Sequence, residues 1–140
     1  MPLPPWSSRD SLGDPVVDEE HRRLLELLQW LESELFLEHD MDNAKVSALA
    51  KELNNHVDQH FFHEEEFMRS LPSLSDKEKA AHARDHEHWR ARIQEHLPAL
   101  LRANTDLERR AHLARILRVA KGFWQEHFQT FDRKLGEHKL

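Results

Sequence analysis

Residues 56–68, HVDQHFFHEEEFM, read as a helix whose inward side is polar, and that reading decides the fold. His60 and Glu64 stand four apart, a separation of about 40° and about 6 Å on an α-helix, so both side chains can reach a single ion. Val46, Leu49, Leu53 and His56 carry the same stripe backwards to a cap at Asp42, and Phe67 carries it forwards. Imidazoles and carboxylates turned towards a core must be hydrogen-bonded, paired or metal-bound, because burying them otherwise is costly.

Three more segments have helical periodicity. Upstream, Leu24, Leu25, Leu28, Leu31 and Leu35 space a helix from about Asp18 to about Leu37, with Asp18, Glu19 and Glu20 in the first turn, where carboxylates suit the helix dipole. Downstream, Ser75-Asp76-Lys77-Glu78 is a capping-box pattern that opens a third helix with His82, His86, Trp89 and Ile93 inward. Pro98 is expected to kink that helix or end it nearby, before a turn at Ala103 and Asn104. Thr105-Asp106-Leu107-Glu108 repeats the capping signature and opens a fourth helix carrying Leu113, Ile116, Val119, Phe123, His127 and Phe131. Four helices joined by short turns pack as antiparallel neighbours, so the expected fold is all-α, an antiparallel up-down-up-down four-helix bundle. Pro2, Pro4, Pro5 and Gly13 make residues 1–14 an extended N-terminal arm, tacked down by Trp6. A length of 140 residues suits a single domain, with the bundle over about 15–140.

Composition supports this. Three Gly and no Tyr, among many Leu, Glu, Lys, Arg and Ala, favour helices over a turn-rich sandwich. A formal charge of -6 gives no general attraction to nucleic acid. The first residues form no signal segment, and no apolar run reaches membrane-spanning length, so a cytoplasmic protein without membrane insertion is expected. With no Cys, any metal must take nitrogen and oxygen ligands. Twelve His are a large excess for such a chain, and every helix offers ligand chemistry on its inner face: His21, then His60 with Glu64, then His82 with His86, then His127 with Asp132.

These pieces, W(6)…DPVVDEEH(21)RRLL, H(60)FFHE(64)EEFM, H(82)ARDH(86)EHW and FWQEH(127)FQTFD(132), together resemble the hemerythrin family over most of the chain. The resemblance implies a non-haem centre of two iron ions. His21 and His60 would bind one; His82, His86 and His127 would bind the other. Glu64 and Asp132 would bridge both, together with an oxo or hydroxo bridge. Asp132 rests on the resemblance alone. It lies five residues after His127, about 140° around an ideal α-helix, and spacing by itself favours its pairing with Arg133 or Lys134.

His39, His88, His96, His112 and His138 read as solvated side chains, and His63 as exposed or in contact with a ligand's far side. His56 has two readings: an imidazole hydrogen-bonded to a carboxylate or backbone carbonyl, or a group that contacts the iron-bound ligand or coordinates the two-histidine iron. Trp124 stands where the family commonly has Leu. It reads either as an ordinary core aromatic or as a gate on an apolar pocket formed with Leu28, Phe67 and Trp89.

The implied function is reversible dioxygen binding at the iron with fewer histidines, for storage, delivery or sensing. The alternatives are a di-iron enzyme (peroxidase, oxidase or nitric oxide-processing) and a metal-storage bundle. No Glu-x-x-His occurs anywhere in the chain, which argues against a ferritin-like oxidase. Dioxygen is the expected partner, and the expected state is a monomer or small homo-oligomer.

Overall fold

A computed structural model describes residues 6–7, 10–36 and 42–138, with side chains as far as 135. Helix α1 spans Pro15–Leu35, α2 Asn43–Arg69, α3 Asp76–Arg102 and α4 Asp106–Gly122. The fourth arm then continues as a π-helical segment, Phe123–Asp132, and ends in α5, Arg133–His138. Each arm packs on its sequence neighbours and α1 closes the ring against α4, which makes the chain an all-α four-helix bundle. No helix among the described residues is long and apolar enough to cross a membrane.

Side-chain caps start the helices. The backbone N–H of Val17 donates to Asp14, that of Lys45 to Asp42, that of Glu78 to Ser75 and that of Glu108 to Thr105, at 3.0–3.1 Å. Helix α1 therefore begins three residues before the expected Asp18, because Asp14 caps it and Pro15 fits the first helical position, where no N–H is needed. Asp18 instead ties down the arm, accepting from the Leu12 N–H at 2.7 Å and the Ser11 hydroxyl at 2.6 Å. The expected end of the first helix at Leu37 and the residues around His39 lie outside the described residues. Pro98 lies inside α3, which ends nearby at Arg102, before the expected turn at Ala103 and Asn104, with Leu97 and Leu100 buried on either side of the proline. Trp6 packs against the core beneath the Arg22 guanidinium, 5.9 Å from its ring, as the arm's expected anchor.

Two apolar clusters fill the bundle. The larger runs from Leu24 to Leu31 on α1 through Leu53, Phe61, Ile93 and Leu113 to Phe128. The smaller joins Leu12, Val17, Met68, Leu71, Leu74 and Leu135, with Phe67 against it. On α1, α2 and the fourth arm the chain passes from one cluster to the other through a buried polar side chain: His21, Glu64 and Asp132. A polar layer thus lies between two apolar ones.

Candidate metal centre

That layer consists of His21, His60, Glu64, His82, His86, His127 and Asp132, each no more than 2% exposed. The donor atoms fall into two groups. In the first, His21 Nε2 lies 3.2 Å from Glu64 Oε2 and 3.1 Å from Asp132 Oδ2, and His60 Nε2 lies 3.2 Å from Glu64 Oε2. In the second, His82 and His86 Nε2 lie 2.7 and 2.9 Å from Glu64 Oε1, while His82 and His127 Nε2 lie 2.9 and 2.8 Å from Asp132 Oδ1. Each carboxylate thus turns one oxygen to each group. All seven side chains named in the sequence come together, and His56 belongs to neither group.

The π-helical segment explains Asp132. A π-helix closes its turns over i→i+5 rather than i→i+4, so a residue five positions on returns towards the same side. Asp132 consequently shares the buried side with His127, and Arg133 reaches outward to Asp10 at 3.5 Å. The pairing of Asp132 with Arg133 or Lys134 that α-helical spacing favours does not form.

Whether these residues suit a metal can be tested on the polar atoms themselves. His21 Nε2, His60 Nε2, Glu64 Oε2 and both Asp132 oxygens are buried without a well-directed hydrogen bond. His82 and His127 bring their Nε2 atoms within 3.0 Å of each other, which requires a proton or a cation between the two lone pairs. Converging nitrogen and carboxylate donors of this kind suit a transition metal with more than four ligands. The residues fit a non-haem metal pair.

Three more carboxylates hold the far side of the rings. Glu20 on α1 lies 3.3 Å from His60 Nδ1 and 2.6 Å from His63 Nδ1. Glu65 on α2 lies 3.1 Å from His86 Nδ1, and Asp85 on α3 lies 2.5 Å from His127 Nδ1. Each helix supplies an acceptor to a histidine on the next. An ionised carboxylate only accepts, so it fixes the ring proton on Nδ1 and leaves Nε2 for the metal. The hydrogen bond to His86 holds the Glu65 carboxyl below its ordinary range despite burial. Burial would raise Glu20, but the bonds to His60 and His63 outweigh it and lower it. The sequence reading missed all three, although each adjoins a proposed ligand in sequence: Glu20 before His21, Glu65 after Glu64, Asp85 before His86.

The expected pocket is redistributed. An apolar cavity of about 10 Å³ lies beside His60, bounded by Leu24, Leu28, Leu53, Phe61 and Phe123 among others. Leu28 is the one expected pocket residue that lines it. Phe67 lies in the smaller cluster, beyond the polar layer. Trp124 faces α1, stacked on Phe128 at 4.2 Å and edge-on to His21 at 6.3 Å, while its neighbour Phe123 takes the cavity wall. Trp89 lines a hollow on the outside of the bundle. His56 places Nε2 2.7 Å from the Glu20 carbonyl oxygen and stacks on His60 with ring centroids 6.3 Å apart, the geometry of its carbonyl-bonded reading. His88 is exposed, His96 and His112 are half-buried, and the His138 side chain lies outside the described side chains.

Without metal, protons occupy the layer. Burial opposes charge on His21, but the carboxylates of Asp132 and Glu64 close to its Nε2 prevail and raise its pKa from 6.5 to about 9. His127 is likewise raised, to about 11, against burial and chiefly by the Asp132 charge. Burial would raise Glu64 and Asp132, yet the surrounding histidines hold both below the ordinary carboxylate range. A raised histidine adds stability that is complete below its unfolded value of 6.5 and disappears as pH climbs past its folded value. The lowered carboxylates add stability that is complete above 4.5 and disappears as pH falls. The metal-free protein is therefore expected to be most stable between pH 4.5 and 6.5 and to weaken steadily through pH 9 to 11. Thermal unfolding across that range checks this, and unchanged stability from pH 6.5 to 11 would contradict it. Metal uptake must displace these protons, so it should acidify an unbuffered solution.

A family model described as the hemerythrin HHE cation binding domain matches residues 12–138. The chain is also 32% identical over 98 residues to a bacteriohemerythrin of Stenotrophomonas maltophilia (strain R551-3). That match covers 69% of this chain and 59% of the relative's length.

Proposed function

The chain belongs to the hemerythrin family, and from that premise we propose that its two donor groups hold two iron ions and that the pair binds dioxygen reversibly, for storage, delivery or sensing. The observation that carries this reading is the unequal division of ligands. Five side chains converge in one group, and four, only two of them histidines, in the other. With Glu64 and Asp132 shared, the two-histidine position keeps room for an exogenous ligand.

The surroundings of that position favour binding over turnover. The cavity beside His60 has room for about one water-sized molecule, and apart from His60 its wall is hydrocarbon or aromatic. Iron bound there would supply the electrons that dioxygen binding requires. The chain's part is to hold the site rigidly, exclude water and withhold protons. An oxidase or peroxidase needs a positioned acid, and no hydroxyl or carboxylic acid lines this cavity. His56, the residue best placed in sequence to supply one, holds the Glu20 carbonyl instead.

Iron-loaded protein, reduced without oxygen, exposed to air and deoxygenated again, tests the reading. The expected result is a visible charge-transfer absorption that appears with oxygen and disappears on its removal. A stable ferric spectrum that survives deoxygenation would replace the binder with a di-iron enzyme, and a chain that holds metal without responding to oxygen would make it a metal store. His56→Ala is expected to leave the iron content at wild-type level and the charge-transfer maximum in place. A changed maximum would put His56 in contact with the iron or its ligand.

A further inference from the structure

Trp89, expected from the sequence in the ligand pocket, is connected instead to the three-histidine group. Its indole Nε1–H donates to Asp85 Oδ2 at 3.0 Å. The same oxygen lies 2.5 Å from His127 Nδ1. Indole N–H can only donate and carboxylate can only accept, so in the metal-loaded ring the proton sits on His127 Nδ1 and the Nε2 lone pair faces the metal. The indole has little freedom. It is 2% exposed, meets Phe123 edge-on at 5.8 Å, and sits so close to Gly122 that a Cβ there would come within 3.3 Å of the ring.

We propose that Trp89 is a positioning residue that sets the electron-donating strength of His127 through Asp85. This rests on the di-iron reading above. Two donors share one carboxylate oxygen, and each reduces the charge available to the other. With the indole bond in place, Asp85 polarises the His127 N–H less, and the imidazole is a weaker donor to its metal than Asp85 alone would make it. The weaker donor favours the reduced metal pair. A purely structural role for Trp89 would produce no such dependence on the sign of the change at Asp85.

Two variants move the balance in opposite directions. Trp89→Phe removes the competing donor and should make His127 more electron-rich; Asp85→Asn removes the charge and should make it less so. In the metal-free protein, the His127 Nδ1–H proton resonance is expected to move downfield in Trp89→Phe and upfield in Asp85→Asn. In the iron-loaded protein, Trp89→Phe is expected to raise the ratio of oxidised to reduced metal at fixed reductant by roughly threefold to tenfold, at most about 59 mV per electron. Asp85→Asn is expected to lower it. Benzothienylalanine at position 89 keeps the bicyclic shape, removes only the N–H, and must reproduce the Trp89→Phe shifts. Unchanged resonance and potential without the indole N–H, or shifts of the same sign in both variants, would overturn the proposal. If the wild type takes up no iron, the di-iron reading fails, and the metal-free resonance still decides the inference.

Discussion

Glu64→Ala is expected to weaken binding of both metal ions by at least roughly 100-fold and to destabilise the metal-free protein by about 3–5 kcal/mol near pH 6. Glu64 stands within 3.7 Å of the Nε2 atoms of all five clustered histidines and divides its oxygens between the two groups. No other side chain of α2 reaches both. Its loss leaves Asp132 as the sole carboxylate on the Nε2 side of the buried histidines, which accounts for the size of the effect. The penalty depends on those protons, so it should shrink as pH rises past about 9, where His21 becomes neutral. Metal analysis after gel filtration, with denaturant unfolding at pH 6 and pH 9.5, measures both effects. Wild-type affinity at either position would show that Glu64 is not shared.

The second large effect is selective. His21→Ala should release one metal and keep the other, so that each chain holds one ion, and the oxygen-dependent absorption should disappear. His21 is fully buried against Glu64 and Asp132, and without it the smaller group retains only His60 and the two carboxylates. Loss of a direct ligand is expected to weaken that position by at least roughly 100-fold, the upper end of what loss of an outer partner costs. The five-membered group does not include His21 and should remain filled. If oxygen-dependent absorption survives at one metal per chain, the open position belongs to the three-histidine group instead.

The bundle itself was legible because period and caps agreed. Asp42, Ser75 and Thr105 begin helices as their spacing implies, and the apolar stripes fall on buried faces. The start of α1 lies earlier than the carboxylates at Asp18–Glu20 suggest, because the Asp14-Pro15 cap sets the boundary. Pro98 falls in the closing stretch of α3, which ends at Arg102 before the turn at Ala103, where the local rule for an interior proline puts the end nearby.

At the centre, legibility depended on the local helix type. His60 with Glu64 and His82 with His86 follow α-helical spacing and meet as spacing implies. His127 with Asp132 does not, because their segment is π-helical, and nothing in FWQEHFQTFD declares this before the fold is seen. Glu20, Glu65 and Asp85 are not legible from periodicity, which relates residues along one helix, whereas each of them serves a histidine on the next. The pocket wall is illegible for a related reason. One residue of rotation decides whether Phe123 or Trp124 faces the cavity, and a stripe of bulky residues does not resolve that step.

In the proposed centre two ions lie in this layer, shared by Glu64 and Asp132. Anomalous diffraction at the iron edge from crystals of the iron-loaded protein tests it most directly. The expected map has two peaks, one beside His21 and His60, the other beside His82, His86 and His127, with Glu64 and Asp132 reaching both. A single peak, or two peaks with either carboxylate turned to only one of them, would rule out a shared pair.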